Sequence, residues 1–144
     1  MVTRPCCTDD YGPVINWLLL IMRMVVSVSM LAHGIPKLAQ LFVGNFDFPD
    51  PIGLGPELSL ALTVFAEFYC SLFILMGYWS RFFAIPLIIV MLVALLFVHG
   101  SEPVFDHTDI LLYLLFYIII VQTGAGKYSM TYYLSERDKK VKMV

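Results

Sequence analysis

Charge is scarce in this chain: 9 Lys and Arg and 11 Asp and Glu stand among 144 residues, 14% of the total against 60% hydrophobic. An average soluble domain is about 25% charged, so this chain cannot hide its apolar surface around one water-soluble core. Cysteine is also sparse. Cys6 and Cys7 fall in the N-terminal tail and Cys70 inside an apolar run, so no disulfide framework is expected, and the lack of a C-x-x-C weakens any reading as a quinone-coupled thiol oxidase. No H-x-x-x-H, H-x-x-E-H or C-x-x-C-H occurs, which argues against the common zinc motifs and covalent haem attachment. Period-2 alternation is missing too, and with it the signature of a small membrane β-barrel. Gly124-Ala125-Gly126-Lys127 lacks the four-residue spacing of a phosphate loop and reads as a helix C-terminus with a cationic flank.

What the chain has instead is long apolar runs and a mean hydropathy of +0.83. Spans are predicted at 14-34, 58-77, 82-99 and 108-123, the last the most marginal, with its apolar core from Ile110 to Thr123. A span needs about 17 to 25 residues to cross roughly 30 Å as a helix, and lipid offers the backbone no partners, so each run must be helical. The fold class expected is all-α, a polytopic membrane protein with a four-transmembrane-helix bundle forming a single domain. An outer loop is expected at 38-57 and a tail at 124-144. No small-residue cleavage site follows a short apolar stretch near Arg4, Asp9 and Asp10, so the first run reads as a retained span.

Basic residues set the expected orientation. One side of a four-span chain would hold Arg4, Arg81, Lys127, Arg137, Lys139, Lys140 and Lys142, and the other only Lys37. The termini are therefore expected to be cytoplasmic in a cell (inner) membrane, and the basic tail is a topology signal rather than a nucleic-acid patch. Trp17, Tyr78, Trp79 and Tyr128 fall near the same interface, where amphipathic rings belong.

Ionisable groups inside a span cost a few kcal/mol or more and should face a partner. Arg23 and Glu67 are such groups, and reading the first two helices in opposite directions puts both near mid-span, as an intramembrane charge pair. Asn16, Arg23, Ser27, Gly34 and Lys37 fall within about 40° of one line, and Thr63 and Ser71 flank Glu67. The pair either fixes helix register or carries function.

The three histidines gather at the outer ends of the spans: His33, His99 and His107. Lys37 lies one turn beyond His33, and Asp109 and Tyr113 are one turn apart. His33, Lys37, His107, Asp109 and Tyr113 define a candidate pocket at the depth of a quinone head group, with His99 and Arg81 as secondary candidates. Axial haem ligation by His33 with His99 or His107 is the less favoured use, and metal binding is not expected. Interfacial histidines that merely meet water and head groups are the plain alternative. The first outer loop, Gly44 to Glu57, mixes turn formers with large apolar residues, so it reads as either a lid or an interfacial connection.

Arg23, His33-Gly34 with Lys37-Leu38, Gly55-Pro56 before a helix bearing Glu67, Gly77-Tyr78-Trp79-Ser80-Arg81 and Gly124-Ala125-Gly126-Lys127-Tyr128-Ser129 occur in that order. In this set the chain resembles the DoxX family of small four-helix membrane proteins, across nearly all of Arg23 to Met130. Met130-Thr131 stand where the family pattern has Leu-Asp. The family is similar to subunits of thiosulfate:quinone oxidoreductase and terminal-oxidase systems. The resemblance implies a membrane oxidoreductase component, with Arg23, His33, Lys37, Glu67 and Arg81 of shared interest, and together with the outer polar cluster it leads to the expectation of a subunit that meets quinone at the outer face. No electron carrier is evident, so a redox partner protein or larger membrane complex would supply electrons. The expected partners also include the lipid bilayer and a second copy of the chain. A non-enzymatic assembly subunit and a small-solute transporter are the alternatives.

Overall fold

A computed structural model describes residues 11–50, 53–98 and 108–142. Helix α1 runs from Pro13 to Val43, and α2 from Pro56 to Met76 with a π-helical stretch over Phe65–Cys70. Helix α3 runs from Ser80 to Val93 and continues as a π-helix over Ala94–Val98; α4 is Thr108–Thr123 and α5 is Met130–Lys142. Among the described residues there is no strand. Three helices, α1 to α3, are long and apolar enough to cross a membrane, and α4 is a shorter apolar helix of 16 residues. The helices alternate in direction. The end where α1 starts and α4 stops is called here the tail end, and the opposite one the loop end.

The sequence places the first span at 14-34 and the loop at 38-57, but α1 continues through Pro36 to Val43. A proline removes one backbone donor without forcing a stop. The stop comes at Gly44, whose φ of 74° allows Gly44 N–H to reach Leu41 O and Asn45 N–H to reach Gln40 O. Helix α2 ends in the same way at Gly77, with φ 71°. The tail, read from sequence as a charged flank, contains the 13-residue helix α5.

Val26 and Met30 of α1, Cys70 and Ile74 of α2, Leu87 of α3 and Tyr117 and Ile120 of α4 form the buried core. Helix faces away from it carry exposed residues such as Val25, Phe82, Ile89 and Leu115. Lipid is as apolar as those side chains, so helix association here rests on close packing rather than on burial from water. Gly34 marks the tightest approach. A Cβ there would stand 3.0 Å from the Glu67 carbonyl carbon and 3.1 Å from Phe68 N, both backbone atoms that cannot swing aside. Gly34→Ala is therefore expected to push α1 from α2 and lower stability by about 1–3 kcal/mol, as overpacking does; thermal unfolding in detergent measures it, and an unchanged midpoint would contradict the contact.

Candidate functional site

The register of α1 against α2 decides where the charges meet. Gly34 lies against Glu67, and Gly77 lies against Arg23, where a Cβ would come within 2.7 Å of Arg23 Nη1. Arg23 and Glu67 therefore sit ten residues apart along the helices, about 15 Å in depth, and the expected Arg23 and Glu67 charge pair is not formed. Each has a different partner. Lys37 Nζ donates to Glu67 Oε1 at 2.5 Å, with the Glu67 side chain buried and that of Lys37 about 29% exposed. Arg23 instead donates through Nη1 to Ala125 O at 2.6 Å and through Nη2 to Tyr128 O at 2.8 Å. Two buried charges were foreseen on facing stripes; the register was misjudged because α1 does not end near Gly34.

Arg23 thus fastens the turn after α4. Asn16 Oδ1 accepts from Lys127 N–H, and the Arg81 guanidinium lies against Gly124 and reaches Thr123 O, where the helix C-terminus favours a cation. Thr131, where the sequence departs from the pattern of the family it resembles, is also used. Thr131 Oγ1 donates to Gly77 O at 2.9 Å and accepts from Trp79 N–H at 3.0 Å, tying α5 to the turn between α2 and α3. These contacts serve the tail end of the bundle, so Arg23 and Arg81 lie far from the loop-end cavity.

That cavity, of about 480 Å³, opens between α2, α3 and the loop. Its walls are mostly apolar, including Leu62, Ala66, Ile89 and Val90, and the Lys37–Glu67 pair lies on its lining with Thr63. Phe48, Pro49 and Leu54 of the loop join the lining, and Lys37 Nζ stands 5.9 Å from the Phe48 ring centroid. Glu67 belongs to the π-helical stretch, a distortion often kept at functional sites. Three ammonium hydrogens and one carboxylate contact leave Lys37 with donors to spare.

The loop is held in place by Asp50. Its Oδ1 accepts from Leu54 N–H and Ser59 Oγ, and its Oδ2 accepts from Gly55 N–H at 2.7 Å, just before the Pro56 start of α2. The Ser59 hydroxyl first, and then the Gly55 amide with smaller help from those of Leu54 and Gly53, hold the Asp50 carboxyl below its ordinary value against an opposing effect of desolvation. A depressed carboxyl contributes order above its unfolded value and loses it as pH falls through the folded one. The Gly55 amide resonance is expected to shift as pH drops below about 4, and in Asp50→Asn that step should vanish; a step that persists would assign it elsewhere.

The histidine cluster is divided by the same geometry. His33 is exposed and turns toward α4, edge-on to Tyr113 with centroids 6.1 Å apart. Asp109 is exposed at the start of α4. Among the described residues, only Lys37 of the five predicted pocket residues lines the cavity, while His99 and His107 lie outside the described residues, and so does any haem pairing through them. Glu67, Thr63 and Phe48 were not foreseen as cavity residues. The usable signal was the rise of α1: continued through Pro36, it brings Lys37 level with the second helix's Glu67. Among the described residues no group of three His, Cys, Asp or Glu could hold a metal ion.

A family model described as DoxX matches residues 18–100, the stretch that holds most of α1, all of α2 and α3, and the lining of the cavity. No curated protein and no solved structure matches the chain.

Proposed function

The chain belongs to the DoxX family, and from that membership we propose that it is a membrane component of a redox system whose loop-end cavity receives a lipid-soluble quinone. The observation that carries this reading is the Lys37–Glu67 pair, with its carboxylate buried, on the lining of a mostly apolar cavity. A volume of about 480 Å³ falls within the usual range for small-molecule sites, which combine apolar walls with a few placed polar groups. A quinone ring fits that chemistry: flat and apolar in body, with carbonyl oxygens that accept hydrogen bonds.

In this reading α4 is a fourth span, the tail end is cytoplasmic, and the cavity faces the outer leaflet. Arg81, Lys127 and Arg137 at the tail end support the orientation, by the excess of basic residues on the cytoplasmic side. Lys37 donates a spare N–H to a ring carbonyl and stabilises negative charge that develops there on reduction. Glu67 holds the ammonium in place and is the nearest carboxylate to the ring. Phe48 and Leu54 cover the head group and keep water out. Electrons come from a partner protein, since no carrier is held by this chain's own motifs.

The test is quinone binding to the purified protein in nanodiscs, followed by quenching of intrinsic tryptophan and tyrosine fluorescence. Lys37→Met is expected to weaken binding about tenfold or more, the loss of one charge-assisted hydrogen bond of roughly 1.5–3 kcal/mol. His33→Ala, whose side chain turns to Tyr113, is expected to leave it unchanged. A wild-type protein that binds no quinone, or a His33→Ala loss equal to that of Lys37→Met, would refute the assignment.

A further inference from the structure

Among the described residues, six buried side-chain polar atoms make no well-formed hydrogen bond within the protein: Glu67 Oε2, the Tyr117 hydroxyl, Ser71 Oγ, Ser27 Oγ, Arg23 Nε and Ser80 Oγ. They are not scattered. Ser71 is one turn from Glu67 on α2, Ser27 is one turn from Arg23 on α1, and both helices turn these faces to each other through Gly34 and Gly77. The rise of 1.5 Å per residue puts Ser71 about 6 Å and Ser27 about 10 Å from the level of Glu67, toward the tail end. Tyr117 comes in from α4, with its hydroxyl close enough to that of Ser71 for the two to interact and within electrostatic reach of Glu67. Ser80 opens α3 three residues beyond Gly77, which touches the Arg23 guanidinium.

Hydroxyls in an apolar helix ordinarily close on their own backbone. Thr63 does so, donating to Ser59 O at 2.8 Å, and so does Thr123, donating to Ile119 O at 2.8 Å. Ser27 and Ser71 do not. Each buried polar group without a partner costs about 1–3 kcal/mol, so several aligned in one column call for a shared partner. Water has the size and valency to join two to four such groups. Glu67 stands at the top of the column and belongs to both compartments, with Oε1 on Lys37 beside the cavity and Oε2 unpartnered and buried.

We propose that the buried polar column between Glu67 and Arg23 is a proton relay, in which internal water joins Glu67 Oε2 to the hydroxyls of Ser71, Tyr117 and Ser27. Through it Glu67 exchanges its proton on the side away from the cavity. A proton that leaves Glu67 for an oxygen in the cavity is replaced from the adjacent water, which takes one from its neighbour in turn. Every relay member ends as it began, and one proton enters from bulk water at the tail end. The fixed positive charge of Arg23 raises the cost of a hydronium ion at that end, so the relay is not an open channel. The use of the relay rests on the quinone reading; its water and its proton exchange do not.

The experiment uses the full chain in nanodiscs without quinone. Infrared spectra follow deuteration of the Glu67 carboxyl, its band assigned by its loss in Glu67→Gln, at a pH low enough to protonate the group. Removing the relay hydroxyls in Ser71→Ala combined with Tyr117→Phe is expected to slow deuteration about tenfold, and Ser71→Thr, which keeps a hydroxyl, to leave it near wild type. An unchanged rate in the double variant means the proton leaves through the cavity, and the relay is overturned. Should that variant fail to fold, a high-resolution map of the wild-type chain decides: water density bridging Glu67 to Ser71 supports the relay, and a dry contact there removes it. Quinone binding is measured on separate samples, so a chain that deuterates by this route yet binds no quinone keeps the relay and loses the quinone reading.

Discussion

Arg23→Met is expected to lower the stability of the bundle by roughly 3 kcal/mol and to loosen the turn that leads from α4 into the tail helix α5. The estimate rests on two charge-assisted hydrogen bonds, to Ala125 O and Tyr128 O, worth about 1.5–3 kcal/mol each. Relief from burying a guanidinium offsets part of that sum. The Ala125 carbonyl left behind cannot turn to water easily, because Ala125 is buried. Amide hydrogen exchange separates this outcome from general loosening. Exchange should rise first between Gly124 and Thr131 and along α5, before the core around Cys70 and Tyr117. A uniform rise across α1, α2 and α4 would show that Arg23 supports the core itself rather than the turn.

Lys37→Met has an effect of similar size for a different reason. Among the described residues it removes the one cation paired with Glu67, whose side chain is 4% exposed, and leaves a buried carboxylate on the lining of a mostly apolar cavity. Breaking a buried pair by one partner costs about 3–5 kcal/mol. Lys37 is itself part-exposed at 29%, which screens the interaction and places the expected loss at the lower end of that range. Glu67→Gln costs less, because an amide oxygen still accepts from the ammonium. The double variant Lys37→Met with Glu67→Gln should recover much of the loss, since no unpaired charge remains. A double variant as unstable as the sum of the two single ones would mean that the two groups act independently.

The apolar architecture was open to reading because lipid imposes a length and a composition on every crossing segment. The runs from Leu58 and from Phe82, and the one ending at Thr123, correspond to helices beginning at Pro56, Ser80 and Thr108. Relative depth was not open in the same way. It depends on where α1 stops, and Pro36 looks like a terminator when the backbone of α2 that packs on Gly34 is out of sight. That one error moved the partner of Glu67 from Lys37 to Arg23. Lys37 was identified as a site residue from its position one turn beyond His33, yet the two side chains diverge, toward α2 and toward Tyr113. The cavity was hidden for a further reason: its walls are made of Leu, Ile, Val and Ala, which in a membrane chain look the same whether they face lipid, core or ligand.

Helix α1, with 31 residues, is about 46 Å long, well beyond the roughly 30 Å of a hydrocarbon core. Trp17, Trp79 and Tyr128 are all about half exposed at the tail end, and rings of this kind seek the head-group layer. With that end pinned, a change in bilayer thickness is felt at the other one. A thin membrane leaves Phe42, Val43 and the mouth of the cavity among head groups; a thick one submerges them in acyl chains, or tilts the helix to the same effect. Access to the cavity from within the bilayer is thereby set by the host lipid, through the length of a single helix.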